Sequence, residues 1–409
     1  MDLTRRAFLG RTGLSLAAVP GLGLLPGLDS LCVLPAAGTR CLVMLELAGG
    51  NDGLNTVIPF EDPAYHAARP VLRVREGQHA LEDGVALHPR LGRLAELYKE
   101  GSLAVVEGVG YPSPNRSHFR SMDIWQSARP DQERPRKGWL GLAAAALAAA
   151  GARRPAMALG QAERPLCLEA RRIVVPAIDS LADYELWSGG GEDGRGRLAE
   201  VRDLATARGE GDDAVARLLK ATAREAAESA ARIREATRSY RPAVEFPRTR
   251  TGRDLELAAK VLSASIGTRI LHLRQGGYDT HAGQDRTHGN LLGEVGDALA
   301  ALARDLRARK LWDDCLVLVF TEFGRRVAEN RSRGTDHGAA GPVLALGGRV
   351  RGGLHGRRPA LDDLDGEGDL RFTTDFRGIY ACVLERWLGV EPTRILGGRF
   401  DGPDLLAAT

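Results

Sequence analysis

Four short apolar runs, at Leu42–Leu47, Leu103–Val109, Ile270–Leu273 and Leu316–Phe320, each break abruptly into glycine and polar residues. A continuous apolar run of that length, bounded by turn residues, reads as a strand buried on both faces. Helical spacing fills the intervals. Leu91, Leu94 and Leu97 form a stripe that stops at Gly101, "GWLGLAAAALAAA" is alanine-rich, a helix is expected over roughly 290–310, and "DFRGIYACVLERWLG" closes the chain as another. Two short apolar runs within 156–178 and the segment "AAGPVLALGGRVRGG" add further strands. Strands alternating with helices predict an α/β fold, a parallel sheet covered on both faces. No internal repeat is present.

The 409 residues suffice for one large α/β domain with insertions or for two ordinary domains, and a hydrophobic content of 44% is that of a globular chain. A net charge of +3 and an aromatic content of 5% give no electrostatic or stacking basis for nucleic acid as a partner. The stretch from about 180 to 250 departs from the pattern. It is charged, alanine-rich and helically spaced, and reads as a helical insertion with a solvated face.

The first 37 residues read as an address rather than as structure. Arg5-Arg6 precede Phe8-Leu9 and a modest apolar stretch from Leu14 to Leu25, as in a twin-arginine export signal. Pro20, Gly21 and Gly23 interrupt that stretch, so a stable membrane span is not expected. Cleavage is expected near Ala36 or Ala37, leaving residues 38–409 as one domain. The twin-arginine translocase is then a partner, and the location is periplasmic or secreted. Removal of Arg5, Arg6, Arg11, Asp2 and Asp29 takes the net charge from +3 to +2. Cys41, Cys167, Cys315 and Cys382 remain, in no spacing that resembles a zinc knuckle or a redox pair.

Chemistry-bearing residues recur where strands end. "LVMLELAGGNDGLNTVIP" delivers Asn51 and Asp52 into a glycine-rich loop, where the bland reading is a plain turn. "RQGGYDTH" presents Asp279 and His281, "TEFGR" presents Glu322 and Arg325, and "RGTDHGAAGPV" sets Asp336 and His337 before the next strand. "SPNRSHF" places Ser117 and His118 at a helix start after the second strand. Each has an ordinary alternative: an Asx turn at Asp279, an ion pair between Glu322 and Arg325, a helix cap or gap-filler at His337, an N-cap at Ser117. Parallel strands, however, put their carboxyl ends on one edge, and carboxylates converging with imidazoles make a site for a divalent metal.

The segments "LELAGGNDGLNTVIP", "SPNRSHFRSMDIW", "GGYDTH", "TEFGRR" and "TDHGAAGP" resemble the signature segments of the twin-arginine-exported family called domain of unknown function 1501. That family is in turn similar, more distantly, to the alkaline phosphatase and sulfatase superfamily. The resemblance implies an alkaline-phosphatase-like α/β/α sandwich, a doubly wound mainly parallel sheet with metal ligands at strand ends. It implies a metal set of Asp52, Asp279, His281, Glu322, Asp336 and His337, holding one or two divalent ions (zinc, manganese or calcium). It also implies Ser117 as nucleophile. Phe323 stands where the superfamily carries a histidine, a departure that bears on a two-metal site.

The expectation that follows is a metal-dependent hydrolase of anionic phosphate or sulfate esters. Ser117 attacks, His118 stabilises the leaving oxygen, and Arg116 or Arg325 clamps the anionic oxygens. The alternative is a non-catalytic, metal-containing binding protein of the cell envelope on the same fold. A redox enzyme has no dinucleotide fingerprint or cysteine cluster to support it.

Overall fold

A computed structural model describes residues 40–152, 154–171, 173–179, 235 and 238–407. The export segment and most of the expected helical insertion lie outside them.

The chain builds its main sheet around β1 (Cys41–Leu47), in which every residue is buried. The strand is therefore apolar on both faces except at Glu46, which is buried with polar partners, and this is why its sequence runs rather than alternates. A short helix α1 (Gly53–Thr56), strand β2 (Val57–Ile58), helix α2 (Pro63–Ala68) and strands β3 (His79–Ala80) and β4 (Ala86–Leu87) follow. Strands β2, β4 and β3 make a small antiparallel sheet that the sequence pattern did not announce. Helix α3 (Gly92–Lys99) leads to β5 (Leu103–Gly110), then α4 (His118–Ser127), α5 (Trp139–Ala149), β6 (Ala156–Leu159) and β7 (Ala177–Ile178). After the insertion come α6 (Arg250–Ser263), β8 (Ile270–Gln275), α7 (Gln284–Ala308), β9 (Cys315–Phe320), β10 (Gly341–Gly347), β11 (Gly353–His355), β12 (Thr374–Asp375) and α8 (Phe376–Cys382).

The main sheet has the order β11-β5-β10-β9-β1-β8-β6-β7, with β12 also on β5. β1 lies parallel to both β8 and β9, and β6 parallel to β8. One strand breaks the rule: β10 runs antiparallel to both β9 and β5.

Helices cover both faces. Val43, Leu45 and Leu47 of β1 join one core with α3, α6 and α7, whose buried Leu292, Val295, Leu299, Leu302 and Leu306 recur at helical spacing. On the other face, Glu46 of β1 meets Gln126 of α4, and Trp125 of α4 stacks on Phe320 and Phe376. Trp139 of α5 stacks on Tyr380 of α8. The result is the expected α/β/α arrangement with a mainly parallel sheet. Cys41 and Cys315, neighbours in register on β1 and β9, are free and buried, and burial pushes the Cys41 thiol up to about 12. Among the described residues, no helix is long and apolar enough to cross a membrane.

Candidate metal centre

The antiparallel course of β10 decides where the site forms. The carboxyl ends of β1, β5, β8 and β9 share one edge of the sheet, and reversing β10 brings its amino end to that edge. Asp336 and His337 precede β10, so in a wholly parallel sheet they would lie at the opposite edge. Backbone bonds extend the β9–β10 pairing outward: Gly324 N–H donates to Ala339 O, Arg326 N–H to Asp336 O, and Arg325 bridges His337.

Three imidazoles and a carboxylate meet there. Asp279 Oδ1 lies 3.4 Å from His118 Nε2, 3.1 Å from His281 Nε2, 3.2 Å from His337 Nε2 and 2.8 Å from Arg325 Nη2. His118, Asp279 and His337 form a group whose ligand atoms all lie within 4.8 Å of one another, a spacing that can hold a metal ion. Asp279 and His281 are half exposed (50% and 45%), so the cluster opens to solvent on one side.

The far nitrogen of every ring is committed to an oxygen. His118 Nδ1 lies 2.8 Å from Glu322 Oε1, His281 Nδ1 lies 3.0 Å from Asp336 Oδ1, and His337 Nδ1 lies 2.8 Å from the backbone oxygen of Arg116. A carboxylate or carbonyl oxygen only accepts, so each Nδ1 is placed to carry a proton, and a ring in that tautomer would offer its Nε2 lone pair to a cation at the cluster. Metal-bound histidines show this outer support as a rule. His118 Nε2 is buried and has no hydrogen-bond partner among the described residues. The donor set therefore fits a cation. Imidazole with one carboxylate suits zinc or another transition ion, whereas calcium takes oxygen ligands.

The electrostatics agree. Burial opposes the Asp279 charge, but bonds from Arg325 and His337 outweigh it and hold the carboxyl well below the ordinary range. The bond to Glu322 raises His118, while burial lowers His337.

The expected site residues thus separate into layers. His118, Asp279, His281 and His337 face one another. Glu322 and Asp336 stand behind His118 and His281, and Glu322 also accepts from the Gly49 N–H at 2.9 Å. Asp52 is elsewhere: wholly buried, its Oδ2 lies 2.6 Å from Arg69 Nη1 and 2.5 Å from Gln284 Nε2. Gln284 Oε1 in turn accepts from the Thr280 and Thr335 hydroxyls, tying together the two loops that carry Asp279, His281 and His337. Arg325, expected as an anion clamp, is buried, and its guanidinium donates to Gly50 O, Gly49 O, Tyr278 O, Thr335 O and Asp279 Oδ1. That fork positions Asp279. Arg116 points to the 365–369 loop, bonding Asp369 Oδ2 at 2.6 Å and Glu367 Oε2 at 3.2 Å.

Ser117 is the exposed N-cap residue of α4, and its hydroxyl makes no cap bond. Phe323 packs its ring against His118 and His337, with centroids 4.9 and 4.8 Å away, so an apolar wall fills the space beside them. The glycines after β1 serve a close approach. Gly49 has φ +118, and a Cβ there would lie 2.5 Å from the Asp279 backbone nitrogen. Sequence reading missed the ligand-like placement of His118 and the supports from Arg69, Gln284 and the Arg116 carbonyl. A backbone oxygen leaves no mark in a sequence, but a histidine directly after the Ser117 cap position was a usable signal.

Fold and site together define an α/β protein with a histidine–aspartate cluster at the edge of its sheet whose spacing can hold a metal ion. Residues 97–370 match the family described as Protein of unknown function (DUF1501), and the chain belongs to that family. The match includes every quoted signature segment except "LELAGGNDGLNTVIP", which precedes it. No curated protein matches the chain in sequence. Among solved structures, the chain is similar to the zinc complex of the C-terminal periplasmic domain of EcEptC from Escherichia coli (TM-score 0.41, 10% identity, covering 88% of this chain and 87% of that one). It is also similar to an alkaline phosphatase superfamily protein from Vibrio parahaemolyticus (TM-score 0.40, 10% identity, 89% and 69% covered). A third is the phosphonate monoester hydrolase of Agrobacterium radiobacter (TM-score 0.39, 10% identity, 88% and 78% covered).

Proposed function

We propose that the protein is an exported, metal-dependent hydrolase of phosphate or sulfate esters, with Ser117 as nucleophile. The observation that carries this reading is the convergence of three histidine Nε2 atoms on Asp279 Oδ1, with a serine whose hydroxyl makes no cap bond directly preceding His118 in the chain. A divalent ion held by His118, Asp279, His281 and His337 would supply Lewis acidity to an anionic ester and favour the ionised serine hydroxyl.

The chain's own residues do the rest. The amino terminus of α4 favours negative charge at Ser117 and at the bound ester. As the Ser117 Oγ–phosphorus bond forms, the ester P–O bond breaks and the serine proton leaves with the alcohol. Water then cleaves the seryl ester, restoring the hydroxyl and releasing phosphate. Glu322 and Asp336 hold His118 and His281 in one tautomer throughout, and Arg325 fixes Asp279. Export rests on Arg5-Arg6 and on the modest apolar stretch that follows.

Ser117→Ala tests the reading. A nucleophile's loss reduces turnover of a phosphate or sulfate ester by at least about a hundredfold, with metal content retained. Full activity in the variant removes Ser117 from the mechanism. A broad ester panel without turnover by the metal-loaded wild type overturns the enzyme in favour of a metal-containing binding protein. Replacing Arg5 and Arg6 together with lysine should strand the precursor inside the cell, and normal export of that variant refutes the twin-arginine route.

A further inference from the structure

Beside the cluster lies a cavity of about 330 Å³ that the proposed chemistry leaves unused. Tyr111, Pro114, Ala339, Ala340, Leu370 and Phe372 give it a largely apolar wall. Two of its walls lie close along the chain to the cluster and to Ser117. Ala339 follows His337 by two residues and Pro114 precedes Ser117 by three, so the Cα atoms are at most about 7 and 11 Å apart. The third wall, Asp365–Phe372, is fastened to the same place, because Arg116 bonds Asp369 and Glu367 while its carbonyl receives His337 Nδ1–H.

The polar groups at the rim are already engaged. Asp365 Oδ1 accepts the N–H groups of Glu367 and Asp369, and Arg371 pairs with Asp363 at 3.0 Å. Tyr111 turns its hydroxyl away, to Ser121 and the Asn115 N–H. Ser113, which also lines the cavity, is held at φ +55, a conformation that non-glycine residues adopt mainly where surrounding structure imposes it. What remains to meet a ligand is mostly apolar, in a volume about twice the roughly 150 Å³ of a cavity that binds benzene.

We propose that this cavity receives the ring of an aryl alcohol, so that the substrates are aryl esters, bicyclic ones above all, rather than short alkyl or charged sugar esters. The substrate class rests on the hydrolase reading above; the ring site does not. Two measurements on the purified, metal-loaded protein separate them. The first is calorimetric binding of 2-naphthol, a neutral ring with no ester. Dissociation at or below about 1 mM is expected for wild type, at least tenfold weaker for Phe372→Ala, and restored in Phe372→Tyr. The second is KM for 2-naphthyl against phenyl phosphate or sulfate, whose leaving groups are alike in acidity. The second ring should lower KM about tenfold, and Phe372→Ala should erase that ratio while leaving metal content unchanged. Absent 2-naphthol binding, or equal KM values for the two esters, overturns the proposal while any turnover keeps the hydrolase. Binding of 2-naphthol that depends on Phe372, without turnover of any ester, upholds the ring site and overturns the hydrolase instead.

Discussion

The Nε2 atoms of His281 and His337 stand 2.9 Å apart, while the Nδ1 of each ring is bonded to an oxygen acceptor. With the proton of each ring on Nδ1, a cation at the cluster would take up both Nε2 lone pairs. Added zinc should therefore raise the melting temperature of chelator-treated protein. At a hundredfold excess over the dissociation constant the gain is about 2.7 kcal/mol. His337→Ala should abolish both the gain and stoichiometric metal, read by elemental analysis. An unchanged metal content in that variant would show that the cluster is not the binding site.

Glu322 carries no ligand atom in the metal group, yet its Oε1 receives both the His118 Nδ1–H and the Gly49 N–H. Glu322→Gln keeps the size and removes the charge that fixes the imidazole. Metal affinity should fall about 10- to 100-fold, the usual effect of losing such a support, with folding retained. Competition against a calibrated chelator measures it, and an affinity equal to wild type would remove Glu322 from the site.

Asp52 and Arg69 are wholly buried at 2.6 Å. Burial opposes the Asp52 charge, but Arg69 more than compensates and lowers its carboxyl below the ordinary value. Removing one partner strands the other as an uncompensated charge. Arg69→Met should cost about 3–5 kcal/mol in denaturant unfolding, and the double variant with Asp52→Leu should recover much of that loss. If Arg69→Met unfolds like wild type, the pair is not structural.

Burial pushes the Asp254 carboxyl up to about 6 from an ordinary value of 3.8. The native state then binds this proton more tightly than the unfolded chain does. Stability consequently falls as pH rises between about 4 and 6, and the full penalty, on the order of 2–3 kcal/mol, persists above that window. Asp254→Asn should be more stable than wild type at pH 7.5, with the gain fading below pH 4. Urea unfolding at both pH values checks the sign.

How much of this was legible from the chain alone differs from residue to residue. The apolar runs of β1, β5, β8 and β9 and the helices between them are written in local periodicity, because a strand buried on both faces must be mostly apolar. Their ends put Asp279, His281 and Glu322 at one edge for the same reason: parallel strands align their carboxyl ends. That much the amino-acid order determines. The role of Asp52 is different, since its choice between a metal and Arg69 depends on where helix α2 packs.

Only the tertiary structure reversed β10 and so carried His337 to the edge where Asp279 waits. Only it set Glu322, Asp336 and the Arg116 carbonyl behind the three histidines, across separations of 204, 55 and 221 residues. A sequence states which groups can ionise or bind a metal. Which nitrogen keeps its proton, and which lone pair faces the site, is decided by partners that lie far away along the chain and meet only when the sheet has closed.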